Sequence, residues 1–545
     1  MLAMANGHAT VEPSVESTHP RLVVVIVIDQ FRQDYLQRFG AHFEGGGFNR
    51  LLREGANFTQ AQYSHATTDT CPGHAVISTG TWANQNGIVA NRWFDTRRGE
   101  TVDCASAPGG EIAGNLLRPT IGDVLKEARG GEARVIAVAG KRAAAAMMGG
   151  RTADAIYWPG SGWRFDSARH VASHSPGWVD RFNDARLADS YFESPWERLL
   201  PLEAYAVQGA DDEPAERAAD GFGRTFPHRL TRGDKVPGED FYSAFQSSPF
   251  ADEVLAEFAK AAIREERLGR GATTDLLSIG FSATDRIGHR FGPDSHEMMD
   301  NVVRLDRLLE ELLTFIDQQV GLQHTLIVLT SDHGVAPLPE RAPVRAGGGA
   351  PGRVYEIGLV DAANAALEAA YGPPDSGDWV AFHDFPNLFL NEVSLRAKGI
   401  LVPDAETLVK RALEDFSGLE AAFTRTELRR LQGTADQPAH ARAVLLSFRP
   451  ERSGHVVYQV APFNVVAETG TNHGSHWEYD SHVPLLWLGR GVQQGRYDSR
   501  VRPVDIAPTL MALLEIEMPK GSSGCILREM FVKAGSREPK CRRAD

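Results

Sequence analysis

The chain has 545 residues, 42% hydrophobic and 23% charged, which is enough for one large domain with insertions or for two to three smaller domains. Its 57 Lys and Arg against 71 Asp and Glu give a formal net charge of −14, which argues against a surface that coats nucleic acid. No stretch approaches the roughly 20 apolar residues of a membrane-spanning helix, so no membrane span is predicted. The four cysteines are widely spaced without a CxxC pair, and this pattern indicates neither a disulfide scaffold nor a cysteine zinc site.

The first twenty residues are polar and contain Pro, His and Ser, and they are predicted to form a flexible tail. The apolar run that follows, Leu22–Ile28, is short and ends in Asp29 without a small-residue cleavage site, so the sequence as written shows no signal peptide. The compartment is left open by these residues.

Short apolar runs rich in β-branched residues predict buried parallel strands; they are Leu22–Ile28, Arg134–Ala139, Leu276–Phe281, Thr325–Thr330 and Val483–Leu488. Apolar residues at helical spacing predict a long helix over His296–Val320 and another after Pro503. Strands that alternate with helices indicate an α/β fold, in which the active site lies at the carboxyl ends of the strands. Residues 160–245 and 338–460 break this alternation and are predicted to be insertions that cap the core.

Carboxylates and imidazoles lie beside several of these strands. Asp29 ends the first strand, Asp285 and His289 follow the third, Asp332 and His333 follow the fourth, and His473 precedes the last. Asp and neutral His suit Zn²⁺ and similar divalent ions, and Asp285 and His289 are one helical turn apart. A single Asp after a strand is more often a helix cap or a turn residue, but four such sites together favour a shared metal site.

Thr70 is the candidate nucleophile. Pro72 suits the first turn of a helix, and this would place Thr70 at the amino end, where free N–H groups favour a phosphoryl group. A threonine hydroxyl needs a base or a metal to remove its proton, which the Asp and His residues would supply. The alternative is that Thr70 is only the helix N-cap, and Cys71 beside it is predicted to be a packing residue.

Together these residues resemble the alkaline phosphatase superfamily. The nearest branch is that of bacterial alkaline phosphatases with a threonine nucleophile, related to the type I phosphodiesterases and nucleotide pyrophosphatases. The motifs that carry the resemblance, in chain order, are Asp29-Gln30, Thr70-Cys71-Pro72-Gly73-His74, the segment 87–93, Phe281-Ser282 with Asp285 and Gly288-His289, Ser331-Asp332-His333-Gly334, and His473-Gly474-Ser475 with Asp480. The resemblance implies an α/β/α sandwich with a central, mostly parallel sheet over residues 21–535, with a short tail at 536–545.

The resemblance also implies the roles of individual residues. One Zn²⁺ would be held by Asp285, His289 and His473, and a second by Asp29, Asp332 and His333, with Thr70 between the two ions. Asn91 would donate a hydrogen bond to a phosphate oxygen. The reaction would pass through a phosphothreonine, the substrate would be a small phosphorylated molecule, and the protein would be periplasmic or secreted. The oligomeric state is left open.

One departure from the family pattern concerns the phosphate clamp. The threonine-type monoesterases use a Lys-x-Arg pair, whereas here Lys141 is followed two residues later by Ala143, and Arg142 is out of phase with the usual contact. A phosphate monoesterase is favoured, with Lys141 and Arg142 as candidate substrate-binding residues, and a phosphodiesterase is the alternative. A catalytically silent metal-binding protein is disfavoured because no ligand and no nucleophile is missing. A sulfatase is rejected because Cys71 directly precedes Pro72.

Overall fold

The computed structural model describes residues 19–532 except 169–175, 219–221, 232, 234, 345–349 and 435–436. Apart from residues 19 and 20, the tails predicted at 1–20 and 536–545 lie outside the described residues. Within the described part of the chain, no helix combines the length and the apolar character that crossing a membrane requires.

The described residues form a nine-stranded central sheet. Its order across the sheet is Gly495–Val501, Ala56–Gln62, His482–Gly489, Thr325–Thr330, Leu22–Ile28, Asp275–Phe281, Val135–Ala139, Ala155–Pro159 and Phe165–Ala168. The four strands from Thr325–Thr330 to Val135–Ala139 in this order are parallel, as predicted. The prediction of a parallel strand at Val483–Leu488 is wrong, because His482–Gly489 runs antiparallel to both of its neighbours. Its apolar run reflects burial on both faces, and an antiparallel strand in a sheet centre is buried in the same way.

Smaller sheets lie outside this one. Residues within the predicted insertion at 338–460 form a four-stranded antiparallel sheet, in the order Val380–Asp384, Asn387–Leu390, Val456–Val460 and Leu419–Thr424. Two pairs of short strands complete the β-structure, Arg92–Asp95 with Glu100–Asp103 and Gly352–Arg353 with Asn464–Val465.

The α-helices alternate with the strands, as predicted. Those of eight or more residues are Thr70–Thr79, Ile121–Ala128, Arg142–Gly149, Gly177–Asp184, Phe250–Glu265, Ala283–Phe291, His296–Gln319, Glu356–Tyr371, Val402–Glu414, Ala439–Ser447 and Ile506–Leu513. Shorter ones are Tyr35–Arg38, Phe48–Glu54, Ala83–Asn86, Glu239–Phe245, Glu392–Ala397, Arg425–Leu431 and Glu478–Ser481. The helices predicted at His296–Val320 and after Pro503 are both confirmed.

The central sheet is covered on both faces. Along Leu22–Ile28, alternate residues such as Val24 and Ile26 join one apolar cluster with the helices Phe250–Glu265 and His296–Gln319. Val23 and Val25 point to the opposite face and join a second cluster with the helix Ile506–Leu513. Successive side chains of a strand point to opposite faces, so a strand that is apolar throughout is buried on both. The architecture is therefore an α/β/α sandwich.

The two predicted insertions differ in how they pack. From residues 160–245, Trp178, Trp196 and Phe241 lie in the same apolar cluster as one face of the central sheet. From residues 338–460, the four-stranded sheet and the helices Glu356–Tyr371 and Val402–Glu414 share an apolar cluster of their own. The second region is therefore the more independent of the two.

Candidate active site

The predicted ligands converge at one edge of the central sheet. Asp29, Lys141 and Asp332 each follow a parallel strand by one or two residues, and parallel strands end at the same edge. The helix Ala283–Phe291 begins just after another such strand and carries Asp285. The strand His482–Gly489 is antiparallel, so its amino end lies at this edge, and the loop before it brings in His473.

Thr70 is the first residue of the helix Thr70–Thr79, as predicted, and its side chain is almost fully buried. The N-cap is Asp69 rather than Thr70, because Asp69 Oδ1 accepts a hydrogen bond from the Thr70 N–H at 3.0 Å. The Thr70 hydroxyl is thereby left free of a capping role. Thr70 Oγ1 lies 3.2 Å from Lys141 Nζ and accepts its hydrogen bond.

Lys141 connects Thr70 to two of the carboxylates. Its Nζ lies 2.8 Å from Asp29 Oδ2 and 2.6 Å from Asp285 Oδ2. Burial lowers the pKa of Lys141, but the neighbouring charges of Asp285 and Asp29 raise it, and the net shift is upward. The ammonium group therefore stays protonated beside the candidate nucleophile.

Three histidines are fixed by the backbone in the same way. In each one Nδ1 faces a carbonyl oxygen, that of Thr471 at 3.0 Å from His289, of Gly334 at 2.9 Å from His333, and of Thr68 at 2.9 Å from His473. A carbonyl only accepts, so Nδ1 carries the proton, and in the neutral ring Nε2 then carries the lone pair. Such a contact to the far nitrogen is the usual means of orienting a metal-binding histidine.

The three Nε2 atoms face carboxylate oxygens. His289 Nε2 lies 3.2 Å and His473 Nε2 3.6 Å from Asp285 Oδ1, while His333 Nε2 lies 3.4 Å from Asp332 Oδ2 and 3.5 Å from Asp29 Oδ1. A lone pair that faces a carboxylate oxygen is repelled unless a proton or a metal ion lies between the two atoms. Among the described residues, His333 Nε2 and Asp29 Oδ1 are buried without a hydrogen-bond partner. The donor set therefore fits metal ions.

Three groups of side chains within the described residues could hold an ion, each with ligand atoms within 4.8 Å of one another. The first, Asp285, His289 and His473, coincides with one predicted ligand set. The others are Asp29 with Asp285 and His333, and Asp69 with His333 and His473. The second predicted set is not one of these groups, since Asp285 takes the place of Asp332 beside Asp29 and His333. His333 Nε2 nevertheless lies within 3.5 Å of both Asp29 Oδ1 and Asp332 Oδ2.

The carboxylates of this cluster differ in pKa. Burial raises the pKa of Asp29, and the charge of Asp332 raises it further. Burial also raises the pKa of Asp285, but Lys141 and His289 lower it, and the net shift is strongly downward. The pKa of Asp332 is likewise lowered overall, because the effects of His333 and His74 are larger than the upward effect of burial. Three buried carboxylates in contact need more positive charge than Lys141 alone provides, and bound cations would supply it.

The two remaining predicted residues are placed differently. Asn91 lies beside the nucleophile, since its Oδ1 accepts from the Cys71 N–H at 2.9 Å and its Nδ2 donates to Asp69 at 2.6 Å. Arg142 does not join the cluster. It forms an ion pair with Asp103 at 3.0 Å, and 41% of its side chain is exposed. It is the first residue of a helix, one position after Lys141, so its side chain leaves in a different direction.

Sequence reasoning missed several contacts around the site. Gln30 Nε2 donates to Asp285 Oδ1 at 2.9 Å, and His74 Nδ1 lies 2.8 Å from the Thr70 carbonyl and 3.2 Å from Asp332 Oδ2. His74 lies four residues after Thr70 in the predicted helix, and this spacing could have indicated that the two residues share a helix face.

The expectation that Cys71 is only a packing residue is wrong. Cys71 forms a disulfide with Cys104, which is 33 residues away in the sequence, with a Cα–Cα distance of 6.5 Å. Cys104 directly follows the strand Glu100–Asp103, and the hairpin of that strand with Arg92–Asp95 folds back toward the nucleophile. Spacing alone does not reveal such a pairing.

Comparisons with known proteins identify the family of the chain. Residues 23–347 match the family model described as type I phosphodiesterase / nucleotide pyrophosphatase. The alkaline phosphatase PhoV of Synechococcus elongatus is 32% identical over 96% of each chain, and the alkaline phosphatase PhoK of a Sphingomonas species is 33% identical over 93% of this chain and 90% of its own.

The fold has a solved counterpart as well. The crystal structure of the alkaline phosphatase PafA superposes with a TM-score of 0.85 at 27% identity, covering 94% of this chain and 99% of PafA. The chain therefore belongs to the type I phosphodiesterase / nucleotide pyrophosphatase family, among its alkaline phosphatase relatives, and is a phosphoric ester hydrolase.

Proposed function

We propose that this protein is a zinc-dependent phosphate monoesterase that acts through a phosphothreonine at Thr70. One observation carries the proposal: three histidines, each fixed through Nδ1, direct Nε2 at the carboxylates that surround a helix-terminal threonine. The named relatives PhoV, PhoK and PafA are alkaline phosphatases, which supports the choice of reaction.

Two Zn²⁺ ions are the proposed cofactors. Asp285, His289 and His473 would hold one ion, and Asp29, Asp332 and His333 would hold the other, with Thr70 beside it. This mixture of nitrogen and oxygen donors suits zinc. When bound, the two ions would offset the negative charge that develops on the attacking and leaving oxygens.

The chain's own residues perform the remaining steps. Thr70 Oγ1 attacks phosphorus, the bond to the ester oxygen breaks, and the alcohol leaves; water then cleaves the phosphothreonine to release phosphate and restore Thr70. Lys141 Nζ, at 3.2 Å from Oγ1, would stabilise the deprotonated hydroxyl and also bind an oxygen of the phosphoryl group through charge-assisted hydrogen bonds. The amino end of the helix Thr70–Thr79 favours the anionic phosphoryl group, and Asn91 would donate to one of its oxygens.

A second candidate, a phosphodiesterase, is favoured by the weak clamp. Among the described residues, Lys141 is the one cationic side chain hydrogen-bonded to Thr70, since Ala143 replaces the family's arginine and Arg142 pairs with Asp103. A diester carries one negative charge fewer than a monoester and needs less compensation.

The test compares p-nitrophenyl phosphate with bis-p-nitrophenyl phosphate on the zinc-loaded protein. We expect the larger kcat/KM for the monoester. A clear preference for the diester would replace the monoesterase with the phosphodiesterase, and hydrolysis of neither ester would contradict both.

We also propose that the protein works in the periplasm or outside the cell. The disulfide between Cys71 and Cys104 supports this location, because such bonds persist in oxidising compartments and are rare in the cytosol.

A further inference from the structure

A large cleft opens beside the candidate metal ligands. It has a volume of 810 Å³, and Asp285 and His289 form its inner end. A smaller cavity of 230 Å³, lined by Asp69 and Asn91, shares His289, Glu356 and Asn472 with the cleft. The larger volume falls within the range of roughly 300–1,000 Å³ that is usual for small-molecule sites.

The direction of the reaction assigns the larger cleft to the leaving group. The attacking and leaving oxygens of a phosphoryl transfer lie roughly in line on opposite sides of phosphorus. Asp69 and Asn91, which contact the first residues of the helix that begins at Thr70, line the small cavity and not the large one, whereas His289 lines both. A phosphoryl group held beside Thr70 and Asn91 therefore directs its leaving group past His289 into the cleft.

One helix supplies both the candidate metal ligands and a cationic wall of this cleft. In Ala283–Phe291, Asp285 and His289 are four residues apart on the face that points to the cluster, and Arg286 and Arg290 are four apart on the adjoining face. Both arginines line the cleft, together with Arg217.

The three arginines differ in what they already contact. Arg290 packs over the ring of Phe222 at 5.4 Å, and Arg217 donates to the Thr469 carbonyl at 3.3 Å.

Arg286 is half-buried and has neither an ion pair nor a hydrogen bond with any described residue. Burial raises the pKa of Asp252, and the charge of Arg286 opposes this rise. The Asp252 carboxylate accepts hydrogen bonds from the backbone of Ser282 and Ala283 and not from Arg286. A half-buried guanidinium with uncommitted N–H donors, one residue from a candidate metal ligand, is a ready partner for an anion.

Residues 354–357 and 466–469 also line the cleft and carry two carboxylates, Glu356 and Glu468. The cleft therefore presents cationic side chains from the helix and acidic side chains from these two segments. Asp285 at the inner end is already paired with Lys141 and His289, at 2.6 and 3.2 Å. The uncommitted N–H donors of Arg286 therefore lie on the helix wall, one residue from Asp285.

We propose that this cleft selects phosphate esters whose leaving group carries a second anionic group, and that Arg286 is the main residue that binds it. The inference rests on the proposed function, because it concerns the substrate class of the same site. Arg217 and Arg290 add to the positive field of the cleft, while Glu356 and Glu468 oppose a negative charge that is placed next to them.

Three matched esters test this selection: propyl phosphate, 3-aminopropyl phosphate and 3-phosphonopropyl phosphate. They share one primary alkyl leaving oxygen and differ in the charge at the far end, and the phosphonate cannot be hydrolysed in place of the ester. We expect kcat/KM for the phosphonate ester to exceed that for propyl phosphate by about tenfold, as one charge-assisted hydrogen bond allows. The amino ester should gain nothing over propyl phosphate.

Variants then identify the residue. Arg286→Ala should lower the ratio of the phosphonate ester to propyl phosphate by about tenfold, and Arg286→Lys should restore part of it. Glu356→Gln should raise the ratio. Arg270→Ala is the matched control, since Arg270 is exposed, contacts Gln319 and does not line the cleft. If Arg286→Ala is not obtained folded, the exposed Arg217 provides the second variant, for which a smaller fall in the ratio is expected.

The results distinguish a failure of the proposed substrate selection from a failure of the proposed phosphatase activity. A wild-type ratio near one, an amino ester that is preferred, or a ratio unchanged in both arginine variants would overturn the selection while leaving the phosphatase proposal intact. Hydrolysis of none of the three esters would remove the proposed function, and the inference with it.

Discussion

The buried cluster around Thr70 and the cleft that is lined by His289 differ in how they are built. On one side, Thr70, Asp29 and Asp332 lie at the ends of core elements, almost fully buried, and each is placed within a few residues of a strand or a helix. On the other side, the 810 Å³ cleft has one wall on the helix Ala283–Phe291 and another on segments more than sixty residues further along the chain. Changes to the first side should therefore affect every substrate, and changes to the second should affect only the choice among substrates.

The largest effect on the buried side is expected from Thr70→Ala. Removing the hydroxyl removes the proposed nucleophile, so kcat for p-nitrophenyl phosphate should fall by at least about 10⁴-fold. Thr70→Ser keeps a hydroxyl on the same helix and is the matched control, which should retain much of the activity. Turnover by Thr70→Ala within tenfold of wild type would contradict a covalent role.

Removal of metal should have a similarly large effect. Chelation by EDTA is expected to abolish hydrolysis, and Zn²⁺ is expected to restore it. His473→Ala should bind less zinc than wild type when metal content is measured directly, because it removes one of three ligands of the group with Asp285 and His289. His476→Ala changes a nearby histidine that none of the candidate groups contains, and its zinc content should equal that of wild type. Full activity after complete chelation would contradict a metal mechanism.

The disulfide beside the nucleophile should contribute to stability. Its loop of 33 residues corresponds to about 3–4 kcal/mol in the free energy of unfolding by the chain-entropy account. Chemical denaturation of the Cys71→Ala/Cys104→Ala double variant measures this loss. If the double variant unfolds at the same denaturant concentration as wild type, the bond adds nothing to stability.

The buried side is also the part that the sequence predicts best. Asp29, Asp332 and His333 follow apolar strands directly, and the Asp285–His289 spacing shows their shared helix face, so local pattern and family motifs together are enough to find them. The parallel core strands follow from the same local patterns.

What the sequence did not reveal depends on contacts between distant segments. The antiparallel direction of His482–Gly489 is set by its pairing with Thr325–Thr330, about 155 residues earlier, and not by its own composition. The same holds for the carbonyls that fix the histidines, for the Cys71–Cys104 bond and for the residues 354–357 and 466–469 that line the cleft. Each of these contacts joins segments that only the folded chain brings together, so the sequence alone does not identify the partner.

The smallest effect, and the sharpest test of the phosphate clamp, concerns Lys141 and Arg142. Lys141 contacts Thr70 and two carboxylates, so Lys141→Ala should lower kcat/KM for p-nitrophenyl phosphate by roughly 10- to 100-fold, the range of one charge-assisted hydrogen bond. The loss should be smaller for the bis-ester, which carries one negative charge fewer. Arg142→Ala is the neighbouring control, and because Arg142 forms an exposed ion pair with Asp103, it should change either rate by less than about threefold. Equal losses for the two esters in Lys141→Ala would mean that the lysine acts on Thr70 and the carboxylates, and not on the charge of the phosphoryl group.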